Sequence, residues 1–207
     1  MILLKIVAAL LMTQISEADS NFAARGQFPY HVAIFDKEGS FCSGALIKDN
    51  YVVTSASCLM DETGLFPADK YYVLLDFGLG IQTLEKHNIA LLRLERKVEL
   101  NQYVNIVDLP DLNDTFNKTS EGVLTRYQQY MRSYSDFYVT LTFSSSNVTT
   151  SSICERNIKK YFIKPKVLSQ FCINHILHGK NLKFQSSGIF VQSEGNKTVL
   201  TGLAVGN

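Results

Sequence analysis

FCSGALIKDNYVVTSASCLM, residues 41–60, reads as two short strands and a turn set between two cysteines. Ser43 to Ile47 is mostly apolar, Lys48-Asp49-Asn50 supplies turn chemistry, and Tyr51 to Thr54 is β-branched and aromatic. Branched and aromatic side chains fit a pleated, half-buried surface, while Asp and Asn accept turn backbone, so the stretch predicts an antiparallel pair. Cys42 and Cys58 bracket it. A chance cysteine pair in any β-rich chain would look the same locally, so the flanking sequence has to choose.

The chain has 207 residues, enough for one domain of two packed halves with a sizeable core. A formal charge of +1 gives no electrostatic case for nucleic acid or an anionic membrane as partner. Phe (13) and Tyr (10) recur in short runs with no long helical period, which argues for an all-β fold. Residues 1–18 read as a secretory signal: Lys5 is the basic residue, Ile6 to Met12 a short apolar core, and Ser16-Glu17-Ala18 a small-x-small cleavage site. Secretion makes Cys42, Cys58, Cys154 and Cys172 a disulfide framework, for which three pairings are open. Sequons at Asn113, Asn117, Asn147 and Asn196 agree with an extracellular destination. The first two lie in the polar stretch 111–122, which reads as an exposed connector.

Further matches follow in order. The 41–60 stretch resembles the block of trypsin-like serine proteases (the peptidase S1 domain) that reads CGGSLI…WVVTAAHC. His87-Asn88-Ile89-Ala90-Leu91-Leu92-Arg93-Leu94 resembles that family's NDIALLRL strand. Residues 184–191, FQSSGIFV, stand against GDSGGPLV, and residues 198–206 look like the LVGIVSWG strand. The resemblance implies two antiparallel Greek-key β-barrels, one over 19–110 and one over 111–207, the second incomplete because the family continues beyond this point. It also selects the pairs Cys42–Cys58 and Cys154–Cys172, each closing a loop worth about 3 kcal/mol.

Carried over residue by residue, the resemblance puts Ser57 in the place of the general-base histidine and Asn88 in that of its orienting aspartate. Ser186 falls at the nucleophile, and a one-residue slip would choose Ser187. Phe184 replaces a glycine of the oxyanion hole. Gln185 replaces the aspartate that receives a freed amino terminus, and no IVGG-like segment stands upstream of Ala23. A serine accepts no proton near neutral pH, so the implied protein is a catalytically inactive homologue, a pseudoenzyme. It would act by binding a protein or peptide, an active serine protease or its substrate, as decoy, adaptor or regulator. The alternatives are a weak serine hydrolase using Ser186 and a degenerate fragment without stable function.

Remaining histidines and acids carry less. His31 falls on an alternating strand and is expected to be half-exposed. His87 should face away from Asn88, because neighbours on a strand point to opposite faces. His175 and His178 have no carboxylate or thiol beside them, and Asp61, Glu62, Asp69 and Asp76 are too scattered for a calcium loop, so neither metal nor cofactor is expected. Asp76-Phe77-Gly78 matches a kinase motif in letters alone and reads as a strand entering a turn.

Overall fold

A computed structural model describes residues 21–37, 39–61, 64–65, 67–73, 77–84, 88–111, 121–133, 136–149, 172–173 and 187–205. Among these, regular structure is all strand apart from two single 3-10 turns. The strands are β1 (Asn21–Phe22), β2 (His31–Asp36), β3 (Phe41–Lys48), β4 (Tyr51–Ser55), β5 (Met60–Asp61), β6 (Gly64–Leu65) and β7 (Tyr71–Val73). They continue with β8 (Phe77–Leu84), β9 (Ile89–Leu94), β10 (Glu121–Ser133), β11 (Asp136–Thr149), β12 (Cys172–Ile173), β13 (Ser187–Glu194) and β14 (Lys197–Val205).

The Asp49-Asn50 turn joins β3 to β4 in antiparallel register, Ala45 opposite Val53 and Leu46 opposite Val52. Those two strands belong to a closed barrel in the order β2-β3-β4-β9-β8-β7, which β7 completes by pairing back onto β2. Alternate residues turn inward: Val32 and Ile34 from β2, Leu46 from β3, Val52 from β4, and Leu92 and Leu94 from β9 form one cluster with Leu59, Tyr71 and Val73. The short β5–β6 hairpin lies in the crossover between β4 and β7.

The second unit is an antiparallel sheet in the order β1-β11-β10-β13-β14, with β12 on β11. β1 does not join the barrel that follows it in sequence; Phe22 pairs opposite Thr142 of β11. A seam cluster of Tyr30, Ala45, Val53, Val107, Ile189, Val191 and Leu200 packs the outer face of β3 and β4 against β13 and β14. This is the all-β architecture expected of a trypsin-like double barrel.

One local reading is corrected. Glu121 and Gly122 do not close a connector; they begin a long strand, Glu121 opposite Asn147 of its long neighbour. The polar composition hid a period of two: Ser144 and Ser146 are buried while Ser145 and Asn147 are exposed. The signal at 1–18, Asn113 and Asn117 in the connector, Asp76, Glu62, His87, Cys154, His175, His178, Phe184, Gln185 and Ser186 lie outside the described residues.

Candidate functional site

Where β4 ends, the chain makes a 3-10 turn over Ala56–Cys58. Asn88, one residue before β9, holds that turn twice. Its backbone carbonyl accepts from the Ala56 N–H at 3.0 Å, and its Oδ1 accepts from the Ser57 N–H at 2.7 Å. Asn88 has φ +54°, left-handed backbone in which asparagine is among the best tolerated residues besides glycine. The disulfide Cys42–Cys58 ties the other end of the turn to β3, with Cα atoms 6.0 Å apart. The structure thus brings together Ser57 and Asn88, which the sequence aligned separately.

Ser57 is exposed, and its hydroxyl lies 2.8 Å from that of buried Ser55. Two hydroxyls and a carboxamide make a polar, uncharged surface. The amide oxygen is committed to a backbone N–H, which positions the turn but moves no proton.

A second group of polar residues joins the two units. Ser187 is 5% exposed, and its Oγ accepts from the Ser43 N–H at 2.7 Å. Ser43 Oγ in turn accepts from the Tyr127 N–H at 3.3 Å, and the Thr54 hydroxyl donates to the Ser43 carbonyl at 2.8 Å. Ser187 is therefore spent on the seam rather than presented to solvent.

His31 belongs to the same seam and corrects the expectation of half-exposure: it is 8% exposed. Both faces of β2 are covered, one by the barrel core and the other by the second sheet. Its Nδ1 lies 2.7 Å from Thr125 Oγ1, and the Thr125 hydroxyl donates to the Ile189 carbonyl at 3.3 Å. With the Thr125 proton so directed, Nδ1 carries the hydrogen and Nε2 is a bare acceptor, an assignment made from the hydrogen-bond network. Nε2 is buried with no partner among the described residues. The ring stands edge-on to Tyr127 at 5.1 Å. Burial without a counter-charge lowers its pKa from 6.5 to about 3, so the imidazole stays neutral at ordinary pH. Desolvation likewise pushes the phenols of Tyr30 and Tyr127 upward.

Ser43, Thr125 and Tyr127 were not singled out from sequence. The available signal was polarity inside a buried strand, since a hydroxyl between Cys42 and Gly44 must find partners when covered. Of the other candidates, Asn147 and Asn196 are exposed, and Cys172 lies in β12 opposite Thr149.

The sequence model of the Trypsin family matches residues 19–180. Coagulation factor IX of Oryctolagus cuniculus is 30% identical over 118 residues. That match covers 45% of this chain and 43% of the factor, so the chain spans less than half the length of this relative. The barrel, the disulfide-anchored turn and the matched sequence agree: the chain belongs to the trypsin family.

Proposed function

We propose that this chain is a secreted, non-catalytic trypsin-family protein that binds a protein or peptide and acts as decoy, adaptor or regulator of an active serine protease. The observation that carries this is Ser57 in the place of the general base. Its N–H is held by Asn88 Oδ1 at 2.7 Å and its hydroxyl lies on Ser55. Neither group accepts a proton near neutral pH, so nothing at this turn activates a nucleophile. Replacing the orienting aspartate by asparagine alone lowers turnover about 10⁴-fold in the trypsin-like template, a value taken from that template. His31, the histidine among the described residues, is buried in the seam and neutral. The features that remain, a closed barrel and a crosslinked turn, are those a binding protein needs.

Burial of Ser187 favours Ser186 as the residue at the nucleophile position, and that keeps a second reading in view: a weak hydrolase using Ser186. A fluorophosphonate probe separates the two. The secreted protein is treated beside trypsin and a Ser186→Ala variant, and adducts are read by intact mass and peptide mapping. No adduct on Ser186 under conditions that saturate trypsin is the expected result. Stoichiometric labelling of Ser186 would overturn the non-catalytic reading.

A further inference from the structure

The seam holds a cleft of about 660 Å³ at the end away from Ser187. β13 runs from Ser187, beside Ser43, to Ser193 at the cleft, a span of roughly 20 Å at the usual strand rise. The volume is that of a small-ligand pocket. Phe28, Ile106 and Val123 give it apolar surface, and Asp108 and Glu121 add carboxylates. Ile106 is 41% exposed, an apolar side chain left facing the opening.

Three consecutive residues of its rim are Asn196, Lys197 and Thr198, which together spell a sequon. They begin just past Gly195, whose φ of +60° makes it the first central residue of a two-residue hairpin loop between β13 and β14. That geometry leaves Asn196 exposed on the tip. A glycan attached there starts at the mouth of the cleft.

We propose that the cleft is the seat of an N-linked glycan carried by Asn196, whose innermost N-acetylglucosamine units fold back into it. Attachment needs a polyprenyl-diphosphate-linked oligosaccharide as donor. The Asn196 Nδ2 forms a bond to sugar C1, the C1–O bond to the diphosphate breaks, and Nδ2 loses one proton; nothing is oxidised or reduced. Such a sugar has C–H faces that cover Phe28 and Ile106 and hydroxyl edges that donate to the Asp108 and Glu121 carboxylates. The proposal rests on the reading of the protein as secreted, since only an exported chain meets that donor.

The test uses protein secreted from eukaryotic cells. Occupancy at each sequon is read by mass spectrometry after enzymatic release in ¹⁸O-water, and release rates are compared between native wild type and an Ile106→Ser variant at its exposed site. Asn196 is expected to be occupied. Its glycan should leave native wild type about tenfold more slowly than native Ile106→Ser, since each 1.4 kcal/mol of seating is tenfold. An occupied Asn113 or Asn117, in the polar stretch before β10, should show no such difference. An empty Asn196 beside an occupied sequon elsewhere overturns the proposal and leaves secretion standing. So do equal release rates in the two proteins, or protection at Asn113 or Asn117 instead. A secreted chain without glycan at any sequon also overturns the proposal and leaves secretion standing, whereas a chain retained in the cell overturns the secreted reading and the proposal together.

Discussion

His31 shows how far a single strand residue can depart from what its neighbours suggest. Alternation on β2 was legible, but alternation gives only two faces and does not say that both are covered. The consequence is measurable as pH dependence. Its folded pKa of about 3 lies below the ordinary 6.5, so the unfolded chain takes up a proton that the folded chain refuses. The stabilising contribution is therefore complete above about pH 6.5 and is lost as pH falls toward 3. Between pH 6.5 and 4.5 this one group should raise the unfolding constant about 50-fold. Urea titrations of wild type and His31→Gln should differ by that factor in their pH dependence, other groups cancelling in the comparison. Identical dependence would show that His31 is solvated. Ser57 and Asn88 were legible in the opposite sense, because the family resemblance gave both positions and their contact followed. Restoring Ser57→His with Asn88→Asp should leave the fold intact, since an aspartate Oδ1 can still accept from the residue 57 N–H. It should not restore proteolysis. By the resemblance, Phe184 still stands where an oxyanion-hole glycine belongs, a loss that can cost about 10²–10³ in turnover. Chromogenic peptide assays within about that factor of trypsin would contradict this.

Strands with apolar alternation and a flanking turn were readable in advance: β3 and β4 on either side of Asp49-Asn50, and β9 from its run of Ile89 to Leu94. β10 and β11 were not read at their true length, 13 and 14 residues, because Gly122 and the Ser144-Ser145-Ser146 run look like loop chemistry. Each has a structural use in a strand. A Cβ added to Gly122 would meet the Phe190 ring and come within 2.6 Å of the Val191 carbonyl oxygen. The glycine thus allows β10 to lie close against β13. Since the obstacle includes backbone, a rotamer change cannot relieve it. Gly122→Ala should destabilise the protein by about 1–3 kcal/mol, the usual range for overpacking, even though alanine suits a strand no worse than glycine. Chemical denaturation is the check: a lower midpoint with an unchanged slope is expected. An unaltered midpoint would mean that β10 and β13 are not so closely apposed.

The two units do not draw on the same kind of interior. Barrel residues such as Ile34, Leu46, Val52, Leu92 and Leu94 are almost fully buried hydrocarbon, each worth about 1.5–3 kcal/mol relative to exposure. The buried face of β11 instead carries Thr142, Ser144 and Ser146 before Val148, with Gln128 on the neighbouring strand. A buried hydroxyl with a good partner contributes only about 0.5–1.5 kcal/mol net, and Ser146 Oγ has no partner among the described residues. β13 and β14 are different again, because Ile189, Val191 and Leu200 dock on the first barrel through the seam. The overall division into two β units was legible from the family resemblance. This gradient was not, because it depends on which serines face inward. It predicts an order of opening in native-state hydrogen exchange. Amides of β4 and β9, such as Val53 and Leu92, should exchange only by global unfolding. Those of β13 from Ile189 to Val191 should follow closely, while β11 from Thr142 to Val148 should open locally. A difference of about 3 kcal/mol between these classes corresponds to roughly 100-fold in protection at fixed intrinsic rate. Denaturant should then accelerate β4 and β9 steeply and β11 weakly, since local opening exposes little surface. Uniform protection and a common denaturant slope across β4, β9 and β11 would show that the polar interior is as cohesive as the apolar one, with the molecule opening as a single unit.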